Sequence, residues 1–269
     1  MFTDWLGLPE VASAHGDQLD VMLGWIHVMM LALFLGWGTF FLFALVRFRK
    51  SRNPVADYEG VKSHTSTWLE GVVVVLEAVF LIGFSIPLWA QRVNAFPPEA
   101  ESTVVRIVGE QFAWNIHYPG KDGVFGRSDV KLVDAATNPL GLDASDPAAA
   151  DDLTTINQLH LPVDKPVLIH LSTKDVIHSF ALQEMRVKQD AMPGIDTPVW
   201  FEPTVTTEEM RLRKGKSDFN YEIACAQLCG LGHYRMIGFM TIHTPEGFEA
   251  WLAEQVPLLE ASDADDPWG

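Results

Sequence analysis

The chain has 269 residues, 48% of them apolar and 20% charged, with 19 basic against 35 acidic side chains and two cysteines. A formal charge of -16 argues against a nucleic-acid-binding surface and favours a cationic partner. Two cysteines exclude a disulfide scaffold and a four-thiolate zinc site, and a mean hydropathy of +0.10 in so acidic a chain requires the apolar residues to be concentrated somewhere.

They are concentrated near the N-terminus. Residues 21–46 contain no Asp, Glu, Lys or Arg, a run longer than the ~20 residues that cross a bilayer. Residues 1–20 lack the basic start of a cleavable signal peptide, so this helix is expected to be retained. A second apolar run, residues 71–90, is interrupted only by Glu77 and Pro87, and a helix is expected over about 69–90. Residues 1–94 therefore read as a two-helix transmembrane hairpin. Its loop, 47–68, carries Arg47, Arg49, Lys50, Arg52 and Lys62, whereas the N-terminal tail carries Asp4, Glu10, Asp17 and Asp20. The positive-inside rule puts the loop in the cytoplasm. Both termini are then expected on the periplasmic side of a bacterial inner membrane, in an oxidising compartment.

Residues 95–269 read as an outer domain. From Thr103 onward come short β-rich runs: TVVRIVG, FAWNIHY, TTINQLHLP, PVLIHLS, HSFAL, PVWFEPTVT, NYEIA and MIGFMTIHT. Their spacing predicts an all-β, antiparallel sandwich or barrel. The acidic stretch 134–152 reads as a loop, ordered or flexible. Thr244 and Pro245 predict the start of a short C-terminal helix with an apolar stripe of Phe248, Trp251, Leu252 and Val256. The tail EASDADDPWG reads as frayed.

Both cysteines fall in one string, Cys225-Ala-Gln-Leu-Cys229-Gly-Leu-Gly-His233-Tyr-Arg-Met236. Thiolate, imidazole and thioether together favour copper, since zinc rarely uses methionine. One thiolate with His and Met would make a mononuclear site, whereas a second on the same loop can bridge two ions. The spacing points to a dinuclear centre, with His178 in STKDVIHSFAL the best further ligand from an earlier strand end. A short-range disulfide is the plain alternative for Cys225 and Cys229, as core packing is for Met236. The other histidines read as surface or packing residues.

These residues resemble subunit II of the haem-copper cytochrome c oxidases. The resemblance runs through the hairpin, Gly109-Glu-Gln-Phe-Ala-Trp114-Asn, Asp175-Val-Ile-His178-Ser-Phe, Lys188-Gln-Asp190-Ala-Met-Pro-Gly194 and the Cys225 to Met236 loop. It implies a cupredoxin-like Greek-key domain holding two copper ions, the CuA centre, bridged by Cys225 and Cys229. His178 and His233 would each ligate one copper, Met236 would bind weakly, and Gln227 would contribute its backbone carbonyl. The family position of Gln227 is usually Glu, which helps hold magnesium against subunit I, and an amide is a weaker ligand for that hard cation. Phe112 stands where the family usually has the Trp that receives electrons. Trp114 would lie on the electron path or in the core. Glu70 aligns with the family glutamate at the cytoplasmic mouth of a proton pathway into subunit I, and Glu77, on a similar helix face, is expected to face that subunit.

The implied function is electron transfer from cytochrome c, soluble or carried by a membrane complex, to haem in subunit I, which reduces oxygen with coupled proton translocation. The acidic stretch would be solvated surface or would steer a basic cytochrome. Without a Cys-x-x-Cys-His string no haem is expected on this chain. A quinol oxidase subunit would lack the ligands, and nitrous-oxide reductase would need a further large domain. The rival from another class is a membrane-anchored copper chaperone or thiol-redox protein using the Cys-x3-Cys pair.

Overall fold

The computed structural model describes residues 4–56, 58–60 and 62–260. Gln18–Asn94 falls in one compact unit, and Pro9–Asp17 joins Ala95 onward in the other.

Two helices, Gly16–Arg47 and Thr65–Val93, are long and apolar enough to cross a membrane. In the first, Asp17 lies in the first turn and Arg47 in the last, each at the end its charge favours. The second is α-helical over Thr65–Ala78, π-helical over Val79–Ser85 and α-helical again over Ile86–Val93. Pro87 supplies a reason for the widening: it has no N–H, and its ring would strike the carbonyl four residues earlier in a regular helix. Both helices leave large apolar residues such as Phe34, Phe41, Leu81 and Ile82 exposed. Apolar all round, they have the composition of membrane-spanning helices.

The outer unit has ten strands: β1 Thr103–Glu110, β2 Ala113–Tyr118, β3 Leu153–Ile156, β4 Gln158–Pro162, β5 Val167–Thr173, β6 His178–Leu182, β7 Val187–Ala191, β8 Thr197–Phe201, β9 Tyr221–Cys225 and β10 Ile237–His243. They form two five-stranded sheets, in the orders β3-β2-β1-β5-β8 and β4-β10-β9-β6-β7. The expected antiparallel pattern is broken twice, because β1 pairs with β5 and β10 with β4 in parallel. Strict alternation of burial along β1 sends Val105 and Ile107 into the core and Arg106 and Val108 outward. The core combines Trp114, Ile116, Leu159, Leu161, Phe180, Ile223 and Met240 from both sheets.

The run TTINQLHLP is not one strand. Asn157, at φ 59°, ends β3 in one sheet and starts β4 in the other, and its side-chain oxygen accepts the Trp114 N–H at 2.8 Å. Asparagine tolerates this left-handed backbone. The helix Thr207–Lys214 was not expected, although Thr206 caps it through the Glu209 N–H and Gly215 ends it at φ 63°. The acidic stretch is folded into turns. Asp134 accepts the Ala136 and Thr137 N–H groups, Asp146 caps the short turn Pro147–Asp151, and Leu140, Leu142 and Ala149 form a small core of their own. The C-terminal helix Pro245–Glu254 is capped by Thr244. The tail from 261 lies outside the described residues.

The N-terminal strap is part of the outer unit. Ala12 donates to the Glu184 carbonyl at 2.8 Å and accepts from the Thr204 N–H at 2.9 Å, and Ala14 donates to Glu202 at 3.0 Å. Ala12 is fully buried, and Glu10 pairs with Arg213 at 2.8 Å.

Candidate metal centre

His178 opens β6 and Cys225 closes β9. These strands are antiparallel neighbours with Phe180 opposite Cys225, so both side chains stand at the same end of one sheet. The loop from Cys225 is closed on itself by Cys225 N–H to Met236 O at 3.3 Å, and it is tied to β6 by Ala226 N–H to Ser179 O at 2.8 Å. A single 3-10 turn, His233–Arg235, then returns the chain so that Met236 ends beside Cys229.

The donor atoms form a continuous chain. Cys225 Sγ lies 3.8 Å from His178 Nδ1, 3.8 Å from Cys229 Sγ and 3.2 Å from the Gln227 carbonyl oxygen. Cys229 Sγ lies 3.6 Å from His233 Nδ1 and 3.7 Å from Met236 Sδ. The ligand atoms of His178, Cys225 and Cys229 all fall within 4.8 Å of one another, a spacing that could hold a metal ion. Both cysteines are free thiols. Burial, then the neighbouring Cys225, push the Cys229 thiol up to about 11; a metal has to displace that proton to bind. Two sulfurs, two imidazoles, a thioether and one carbonyl make a soft donor set that fits copper and does not fit a hard oxygen-seeking cation.

A polar network holds the ligands. Asp175 Oδ1 lies 2.9 Å from His178 Nε2, which aims Nδ1 at Cys225. Asp175 Oδ2 accepts the Gln111 N–H at 2.7 Å, and Gln111 Nε2 donates to the Cys229 carbonyl at 2.6 Å. Burial works against the Asp175 carboxylate, but hydrogen bonds from His178, Gln111, Val176 and Thr173 hold it below the usual range. Neither Asp175 nor Gln111 was singled out as a site residue, though an Asp three residues before a ligand histidine was a readable signal.

Two aromatics wall the loop. Trp114 is fully buried, its ring edge-on to His178 at 5.9 Å and to Phe180 at 5.6 Å, so it is an interior residue and not a surface contact. Phe112 is half-buried and lies on the loop glycines: a Cβ at Gly232 would meet its ring at 2.3 Å, and one at Gly230 at 3.2 Å. Gly230, at φ 134°, also needs glycine for its backbone. Leu228, Leu231 and Tyr234 leave the loop's outer surface apolar and exposed. Glu70 and Glu77 belong to the second membrane helix, in the other unit.

A family model described as cytochrome c oxidase subunit II, periplasmic domain, matches residues 103–242. The chain is 34% identical over 260 residues to the alternative cytochrome c oxidase subunit 2 of Bradyrhizobium diazoefficiens, covering 95% of this chain and 86% of that one. It is 33% identical to cytochrome c oxidase subunit 2 of Thermostichus vulcanus, covering 96% and 82% respectively. The periplasmic domain of oxidase subunit II from Bradyrhizobium japonicum aligns at 20% identity and a TM-score of 0.40, over 59% of this chain and 95% of that one. With more than half of its length matched by the family model and nearly all of it by a relative one-third identical, the chain belongs to the cytochrome c oxidase subunit II family and is a subunit of that oxidoreductase.

Proposed function

We propose that this subunit accepts electrons one at a time from a cytochrome c donor and passes them to haem in subunit I, through two coppers held by Cys225, Cys229, His178, His233, Met236 and the Gln227 carbonyl. The observation that carries the reading is the unbroken run of donor-atom separations of 3.2–3.8 Å along one loop and one strand end. When bound, the copper pair would supply a one-electron relay, with Cys225 and Cys229 among the residues that would hold it. The protein's part is rigidity. Asp175 fixes the His178 ring, Gln111 fixes the Cys229 backbone, and Trp114 excludes water behind the histidine.

Phe112, the half-exposed ring on the loop, is the proposed point where electrons arrive, with Trp114 as a buried wall or path behind it. A phenyl in place of the family's indole suits a donor with its own docking pose, soluble or borne by a membrane complex. Gln227 presents an exposed amide, which favours no magnesium of its own. Glu70, near the start of the second membrane helix, is the proposed mouth of a proton pathway into subunit I, and Glu77, two turns on, faces the same partner. The acidic N-terminal tail and the basic loop 47–68 support an orientation with both ends of the hairpin outside. The basic loop then lies in the cytoplasm.

The test is copper content and electron paramagnetic resonance of the full chain in detergent after copper loading. Two coppers sharing one unpaired electron, seen as a seven-line pattern or its envelope, are expected. One copper, or none with a Cys225–Cys229 disulfide, would overturn this reading in favour of a copper-delivery or thiol-redox role.

A further inference from the structure

We propose that the outer face of the sheet β3-β2-β1-β5-β8 carries a pocket for a small ligand with one anionic head, carboxylate or phosphoryl, anchored by Arg106. The register of β1 sets Arg106 between His117 of β2 and His170 of β5, a row of three nitrogen bases across adjacent strands on the face turned away from the core. This face is roofed. The excursion between β2 and β3 lays Ser128 and Leu140 over it, enclosing a cavity of about 370 Å³ whose floor includes Arg106, His117, His170 and Ser172. That volume lies in the range of small-ligand sites.

Arg106 is the unusual member. Other part-buried cations of the outer unit sit against carboxylates, Lys174 with Glu110 and Lys214 with Glu184, as do the more exposed Arg127 with Asp143 and Asp146 and Arg213 with Glu10 and Glu209. Among the described residues Arg106 has no carboxylate partner and no hydrogen-bond acceptor. Its guanidinium is stacked 4.1 Å from the Phe125 ring centre, which fixes the plane and leaves the N–H fork free. Of the nearby acids, Asp152 and Asp196 each engage other groups through Oδ2, while Asp152 Oδ1 is buried without a hydrogen-bond partner. Asp152 Oδ2 takes His117 Nε2 at 2.8 Å and the Gly126 N–H at 2.9 Å, while Asp196 Oδ2 takes His170 Nδ1 at 2.6 Å.

A half-buried fork of donors without acceptors is a poor resting arrangement in a chain with a formal charge of -16, where a carboxylate partner would be easy to supply. Planar, bidentate donors match a carboxylate or phosphoryl oxygen pair. The hydroxyls of Ser128 and Ser172, which make no hydrogen bond to the described residues, add neutral donors at the wall. One cation that makes no direct ion pair, with the charges of Asp152, Asp196 and Glu99 acting on it from nearby, admits at most a single anionic head and disfavours a polyanion. This site is independent of the copper loop.

The test uses the full chain in detergent, titrated calorimetrically with inorganic phosphate and, separately, with acetate, against a chloride background. Saturable binding of either is expected, and the arm that binds names the head group. Arg106→Gln should weaken it about tenfold or more. Leu140→Trp, which fills the cavity from the roof and leaves Arg106 in place, should do the same, and it carries the test if Arg106→Gln loses its thermal transition. No saturable binding of either anion, or binding that survives in a folded variant, overturns the proposal.

Discussion

The contact between Phe112 and the copper loop can be tested by adding one carbon. At Gly232 the backbone sits at φ -93° and ψ 6°, open to alanine, so Gly232→Ala introduces no backbone strain. Its Cβ, however, would lie 2.3 Å from Phe112 Cδ2 and 2.6 Å from Cε2 and Cγ. Ordinary carbon contacts are about 3.5–4 Å, so ring and loop must part by more than about 1 Å. Overpacking of this kind costs about 1–3 kcal/mol. Because Gln111, beside the ring, also holds the Cys229 carbonyl, the displacement should reach the ligands. Gly232→Ala is therefore expected to destabilise the outer unit by about 1–3 kcal/mol and to disturb the copper spectrum. Removing the ring in Phe112→Ala should relieve the clash, so the double variant should cost less than the sum of the singles by about 0.5–3 kcal/mol. Denaturation of the four chains in detergent, followed by tryptophan fluorescence, measures that coupling. Single-variant costs that simply add would mean the ring does not rest on the loop, and the proposed electron-arrival point would fall with it.

Asp175→Asn keeps the shape but loses the carboxylate that aims His178; copper affinity, measured by chelator competition, should drop about 10–100-fold, and an unchanged affinity would refute the positioning role. Gln227→Ala should leave copper content and spectrum intact because only its carbonyl faces Cys225; loss of copper would show that the side chain ligates. His160 stacks on Trp251, and its Nδ1 lies 2.8 Å from His243 Nε2. Burial, then the His243 ring, lower it from 6.5 to about 4. Between those values the unfolded chain holds the extra proton, so stability should fall as pH drops through the interval, with His243, lowered by burial, acting in the same direction. His160→Gln should flatten that slope in denaturation midpoints; an identical slope would refute the assignment.

The candidate metal centre was legible because its proposed ligands are crowded into twelve residues plus one histidine, and chemistry alone picks out thiol, imidazole and thioether together. Its support was not. Asp175 and Gln111 meet the loop only because β1, β5 and β6 end at the same edge, a fact of register that local patterns do not carry. The two long helices were readable from the length of their apolar runs, whereas the π segment before Pro87 depends on how the backbone relieves one ring. Asn157 shows the opposite limit: nine residues of good strand composition hide a change of sheet decided by one left-handed residue. The helix Thr207–Lys214 was overlooked although Thr206, Glu209 and Gly215 mark both of its ends, because MRLR offers almost no apolar stripe to announce it.

The strap also bears on how the molecule is made. Ser13 hydrogen-bonds Met185, 172 positions later, so the first piece of the outer body to leave the ribosome has no partner there until the middle of that body has been made. In chain order the membrane hairpin is an insertion in the outer body. A soluble fragment beginning at residue 95 would have an open slot where Ala12 is buried and would leave the Glu184 and Glu202 carbonyls without their partners. The outer body can be completed only when the chain on both sides of the long helical insertion has been made and brought together, so its closure couples the two ends of that insertion.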